Sequence, residues 1–184
     1  MRGRWSMAAI LALCVGILSG CGSEDKFSIF MIDNQGNMSV IAEELETKLQ
    51  EKIGETPVIE ISASPMYSKE KILVEYAARE HDLIILPEED MKMYGRDGSN
   101  IPLENDFDQE TYSRGVFEGG TYTRDENGDL SSDPVVGEHL FGIPLEEMSM
   151  FIDLQYAAKN LFATIPISTQ DEQMSIEVLK ALTE

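Results

Sequence analysis

Phe27-Ser28-Ile29-Phe30-Met31-Ile32, followed at once by Asp33-Asn34-Gln35-Gly36-Asn37, is the stretch on which the fold turns. A short apolar run of this length fits a buried strand, and the dense turn-and-cap cluster after it marks where that strand stops. Beyond it, Met38, Ile41, Leu45, Leu49 and Ile53 recur at helical spacing, with Glu43, Glu44, Glu46, Lys48, Glu51 and Lys52 between them and Gly54 at the end. That is an amphipathic helix with a glycine stop.

The same rhythm continues along the chain. Pro57-Val58-Ile59-Glu60-Ile61-Ser62 reads as a second strand, and Ser64-Pro65 or Ser68 opens a helix carried by Ile72, Leu73, Tyr76 and Ala77. Asp82-Leu83-Ile84-Ile85-Leu86 reads as a third strand. Pro87-Glu88-Glu89-Asp90 then has the chemistry of a helix's first turn, with proline at the start and carboxylates where the macrodipole favours them. Strand and helix alternating with short joints predict an α/β domain: a mostly parallel sheet with flanking helices. Residues 96–137 interrupt it with a polar, glycine-rich insertion. There Val116 to Thr123 and the turn Asn127-Gly128 suit a small hairpin. Further on, Met148, Met150, Ile152 and Leu154 alternate with polar residues and favour a strand through Gln155, although Phe151, Leu154, Ala158 and Leu161 also fit a helix. A further extended run spans 161–167. Thr169-Gln170-Asp171-Glu172 caps a final helix whose expected buried side is Met174, Val178, Ala181 and Leu182.

The beginning of the chain differs in kind. Arg2 and Arg4 precede an apolar run over residues 7–18, too short for the roughly 20 residues that span a bilayer, and Ser19-Gly20 follow. This layout is that of a secretory signal peptide over residues 1–20. Leu18-Ser19-Gly20-Cys21 resembles the lipobox of bacterial lipoproteins. The resemblance implies that Cys21 is diacylated and becomes the new first residue, with 21–26 as a polar linker and 27–184 as the single domain. Two acyl chains suffice for stable attachment where one is marginal. Cys14 and Cys21 are the only cysteines. A chain processed this way keeps no free thiol, which excludes thiol catalysis, disulfides and cysteine-ligated zinc.

The 184 residues carry 14 basic and 34 acidic side chains, a net charge of −20. Loss of Arg2 and Arg4 leaves 12 basic against 34 acidic, or −22. No nucleic-acid partner is expected of such a chain, because phosphate contacts need clustered lysine and arginine. Near anionic headgroups the acidic body is repelled, so the domain should stand off the membrane to which it is tethered.

A second resemblance lies in the order of segments. Asp82 to Leu86, the helix ending at Tyr94-Gly95, Ile101-Pro102-Leu103, Phe141-Gly142-Ile143-Pro144-Leu145, Met150 to Leu154 and Leu161 to Leu182 are similar, in that order, to segments of bacterial extracellular solute-binding lipoproteins. Ser175 stands where those proteins carry a small apolar residue. The resemblance implies a periplasmic-binding-protein-like lobe, a transport-associated binding role and a permease or envelope protein as partner. Those proteins close two lobes on a ligand, and this length has room for one.

Chemistry-bearing motifs are sparse. No nucleophile elbow, phosphate loop, HExxH or dinucleotide fingerprint occurs, so no cofactor and no enzymatic activity are expected. Asp125, Asn127, Asp129 and Asp133 cluster oxygens, but Gly128 is at the wrong offset for a calcium loop. His81 at a helix end and His139 entering a strand fit structural roles. In a parallel sheet a ligand site lies beyond the carboxyl ends of the strands. Those ends supply Asn34 and Gln35, Ser64 and Tyr67, and Glu88, groups that suit a small polar or sugar-like ligand, with Tyr67 for stacking. Each also has a simpler role as a cap or turn residue. A protein-interaction module of an envelope complex is the alternative, and a carboxylate-dependent hydrolase the third reading.

Overall fold

The computed structural model describes residues 26–123, 130–156 and 158–184. Residues 1–25, on which the expected signal peptide, Cys21 and most of the linker fall, lie outside the described residues, as do Asp125, Asn127, Gly128 and Asp129.

Strand β1 (Lys26–Met31) is an interior strand, buried at Phe27 and from Ile29 to Met31. It pairs in parallel with β2 (Val58–Ala63) on one side and with β3 (Leu83–Pro87) on the other, Ile29 lying opposite Ile61 and Phe30 opposite Ile84. The sheet is completed by two later strands, β6 (Ile143–Pro144) and β7 (Leu161–Thr164), in the order β2-β1-β3-β7-β6. β7 runs antiparallel to both of its neighbours, so it alone is reversed and the sheet is mostly parallel.

Side chains alternate across β1 and β3, and each set meets its own layer. Phe27, Ile29, Met31, Leu83 and Ile85 pack against α1 (Ala42–Ile53) through Leu45 and Leu49, and against α5 (Glu172–Thr183) through Ile176, Val178, Leu179 and Leu182. The opposite face, Phe30, Ile32, Ile84 and Leu86, packs against Ile72 of α2 (Lys69–Ala78) and Met91 and Tyr94 of α3 (Glu88–Arg96). Covering both faces is what permits β3 to be apolar at every position.

Local signals act largely as expected. Asn37 accepts the Ser39 N–H at 3.0 Å and caps a 3-10 turn, Met38–Val40, that leads into α1. Gly54 ends α1 at φ +105, a conformation that side chains rarely adopt. Of the two openings for α2, Ser68 is the cap. β2 is an edge strand, and α1 closes that edge: Gln50 accepts from the Ile59 N–H at 2.8 Å and donates to the Pro57 carbonyl at 3.0 Å, while Glu46 accepts from the Ile61 N–H at 2.9 Å. Side chains thereby occupy backbone groups that would otherwise template another strand.

The insertion forms the expected hairpin, with β4 (Val116–Thr121) antiparallel to β5 (Val135–Leu140). Phe117 packs on Phe141 with ring centroids 4.9 Å apart, which fixes the hairpin to the second core.

Three expectations are corrected. The segment through Gln155 is not a strand: a 3-10 turn, Leu145–Glu147, leads into the short helix α4 (Ser149–Asp153). Met150 and Phe151 are buried together while Ile152 is 51% exposed, so the alternation of apolar residues was incidental. Leu73 is exposed on α2, where Glu75 is buried instead. On α5 Met174 is only partly buried, and Ser175 is fully buried because its hydroxyl bonds the Asp171 carbonyl at 2.9 Å and pairs with Thr169 at 2.8 Å.

Candidate functional site

The carboxyl ends of β1 and β3, the first turn of α3 and the residue before β7 converge at one end of the sheet. After β1 the chain turns at Asp33, whose carboxylate accepts the Gln35 N–H at 2.7 Å and the Tyr156 hydroxyl at 2.8 Å. Gly36 closes the turn. A Cβ there would stand 2.7 Å from both Asp33 Oδ2 and the Tyr156 oxygen, so any side chain would push this pair apart. The turn presents Asn34, and Asn160 Nδ2 donates to its Oδ1 at 2.7 Å. Asn160 also accepts the Glu88 N–H at 2.8 Å through its carbonyl, joining β1, β7 and α3 at a single residue.

A cleft of about 360 Å³ opens here, with Asn34, Gln35, Glu88, Glu89, Lys92 and Asn160 around Pro87. Glu88 bonds Lys92 Nζ at 2.6 Å and Arg114 Nη2 at 3.0 Å. Burial works against its charge, but the two cations outweigh it and hold its carboxyl below the usual range. Arg114 also bonds Glu146, just after β6, and the Lys159 carbonyl at 2.6 Å, and its guanidinium lies over the Phe162 ring. It pins the base of the hairpin insertion to the cleft's rear wall.

Asn34, Gln35 and Glu88 are therefore brought together, whereas Ser64 and Tyr67 lie outside the cleft. Ser64 Oγ donates to the Met66 carbonyl at 2.7 Å, a turn contact. Tyr67 is not free to stack on a ligand: its ring packs against the second core and its hydroxyl donates to buried Asp90 at 2.9 Å. Burial and the neighbouring Asp90 push the phenol up to about 12. Asp90 is itself raised, mainly by burial. Lys92, Asn160 and Arg114 were missed by sequence reasoning. Lys92 stands one helical turn after Glu88 and was within reach of an i, i+4 argument. Asn160 and Arg114 arrive through long-range topology and leave no local signal.

The arrangement offers amide donors and acceptors, a carboxylate pair and an ammonium within one small polar concavity. Such a mixture hydrogen-bonds hydroxyl-rich or zwitterionic molecules.

No protein-family model, curated protein or solved structure matches this chain.

Elsewhere each histidine has its own carboxylate. His139 Nδ1 faces Glu104, whose other oxygen accepts the Leu140 N–H at 3.2 Å. His81 is not at the helix end: α2 stops at Ala78, Arg79 is its cap, and His81 is buried against Glu75 at 2.9 Å. Among the described residues no group of three or more His, Cys, Asp or Glu could hold a metal ion. Of the four oxygen-rich residues in the hairpin loop only Asp133 is described, and its carboxylate accepts the Ser132 hydroxyl at 3.1 Å. No helix among the described residues is long and apolar enough to cross a membrane.

Proposed function

We propose that this chain is an extracytoplasmic binding module of the solute-binding kind, lipid-anchored to the cell membrane through Cys21, which takes a small polar or sugar-like ligand in the cleft of Asn34, Gln35, Glu88, Lys92 and Asn160 and serves a permease or envelope partner. The observation that carries the reading is the position of that cleft, beyond the carboxyl ends of β1 and β3, where open α/β sheets place their ligands. Its electrostatics favour binding over acid chemistry. With Lys92 and Arg114 beside it, Glu88 is kept ionised and accepts hydrogen bonds instead of supplying a proton. The leader layout and Leu18-Ser19-Gly20-Cys21 support the anchoring. Thermal melting of the chain with sugars, amino acids and short peptides tests the binding, a shift being expected for one class.

A second reading, an interaction module of an envelope complex, is favoured by one feature. Val40 and Met66 are 73% and 76% exposed on segments held near each other by the Ser39 hydroxyl, which donates to the Ala63 carbonyl at 3.3 Å. A partner seated over this apolar pair would border the same end of the sheet.

A further inference from the structure

The opposite end of the sheet holds a different chemistry. A cleft of about 650 Å³ opens beside the start of β1, where Ser28, His81 and Arg79 share the lining with the acidic Glu60, Glu80, Asp82 and Asp171. Ser28 Oγ stands 2.8 Å from His81 Nδ1, and His81 Nε2 stands 2.9 Å from Glu75 Oε2. The imidazole is 8% exposed and stacked on Phe30 at 5.4 Å, so its orientation is fixed by packing.

Both contacts fit one tautomer of the neutral imidazole. Lys71 and His81 together outweigh burial and hold the Glu75 carboxyl below its usual range, so Glu75 is an acceptor only. In the neutral imidazole, a proton on Nε2 faces Glu75 and leaves the Nδ1 lone pair to receive the Ser28 hydroxyl. A hydroxyl donating to an imidazole that is oriented by a carboxylate is the arrangement that activates serine for attack. Arg79 stands in the left-handed region, at φ 57 and ψ 37, where a helix cap is most often glycine. Arg79 is exposed and lines the cleft, and among the described residues no carboxylate pairs with it. A non-glycine residue held there, with a free cation at the cleft, is suited to meeting negative charge as it develops.

We infer that Ser28 is an activated nucleophile, with His81 as its base, Glu75 as the positioning residue and Arg79 as the electrophile, and that the cleft accepts a carboxylic ester. In the first step the Ser28 oxygen bonds the acyl carbon and its proton passes to His81 Nδ1. The ester's C–O bond then breaks and the departing alkoxide takes that proton. Water attacks the acyl-serine by the same route, releasing the carboxylic acid and restoring Ser28. This site is independent of the binding cleft at the other end of the sheet, and neither reading depends on the other.

The test uses the full chain with a fluorophosphonate probe, whose phosphorus is attacked by an activated serine with loss of fluoride, and with p-nitrophenyl acetate. The expected result is an adduct located at Ser28 by peptide mass spectrometry, absent in Ser28→Ala, with acetate ester hydrolysis falling by about 100-fold or more in Ser28→Ala and His81→Asn. Glu75→Gln should lower the rate and displace its pH profile, an effect that a purely structural role would not give. Should His81→Asn fail to fold, the wild-type adduct and the Ser28→Ala rate still decide. An unmodified Ser28 at saturating probe, or hydrolysis by Ser28→Ala at the wild-type rate, overturns the assignment.

Discussion

Asn34 and Asn160 stand 126 residues apart in sequence and share a 2.7 Å hydrogen bond at the carboxyl end of the sheet. The bond joins the turn after β1 to the entry of β7, the one reversed strand, and makes the rim of the polar cleft. Its geometry depends on the compact turn at Gly36, where a Cβ would meet Asp33 and Tyr156. Gly36→Val should therefore break the Asp33–Tyr156 contact and lower stability by about 1–3 kcal/mol, read as a reduced midpoint in urea with an unchanged slope.

Arg114 links Glu88, Glu146 and the Lys159 carbonyl, so its removal leaves two half-buried carboxylates short of a partner. Arg114→Met should destabilise the domain by about 1.5–3 kcal/mol at pH 7. The pH dependence has a definite sign. The Glu88 carboxyl is lowered in the fold, so its contribution is whole above the unfolded carboxyl's range and is lost as pH falls through the folded value. As pH falls below the ordinary carboxyl range, wild type should lose stability more steeply than Arg114→Met, as urea titrations at descending pH would show.

Asp90 has the opposite sign. It is 3% exposed and its carboxyl is raised by burial, so the cost of its charge sets in as pH climbs through the unfolded value and is complete above the folded one. Asp90→Asn keeps an acceptor for Tyr67 and removes that charge. Its melting temperature should exceed wild type's by about 1–3 °C at pH 7 and match it near pH 3. Tyr67→Phe, by contrast, strips the buried carboxylate of its donor and should cost about 1–3 kcal/mol.

Much of the fold was readable from residues because local signals and tertiary demand agree there. β3 is apolar at each buried position, Ser68 and Asp171 cap their helices, and Gly54 ends α1. Reading failed where two periods overlapped. Met148 to Leu154 satisfies a period of two by composition, yet a helix buries Met150 and Phe151 side by side while leaving Ile152 outside. At the site, Asn34, Gln35 and Glu88 followed from the rule for strand ends. Asn160 and Arg114 had no such signal, because β7 and the hairpin insertion deliver them from distant sequence. The same holds for Ser28, Glu75 and His81, which meet across β1, α2 and the joint before β3.

Gln50 bonds two backbone groups along the β2 edge, the Pro57 carbonyl and the Ile59 N–H, and also the Gly54 carbonyl at the end of α1. Gln50→Ala should cost about 1–2 kcal/mol and raise the tendency to self-associate, since it exposes the strand's N–H and C=O groups. Light scattering at raised temperature would register the association, and an unchanged profile would show that the edge is protected by other means.

Anchoring is read from cell fractionation. With Cys21 as the lipid site, the wild-type protein should sediment with membranes and Cys21→Ala should not, because the acyl chains supply the attachment. A Cys21→Ala protein that stays with the membrane would remove the lipid assignment.

The central claim, a small-ligand site at the carboxyl ends of the strands, is tested most directly by thermal melting of wild type and Asn34→Ala with sugars, amino acids and short peptides. The expected result is that one ligand class raises the wild-type melting temperature by about 2–4 °C or more, and raises that of Asn34→Ala by distinctly less. No shift with any class, or an equal shift in both proteins, would contradict it.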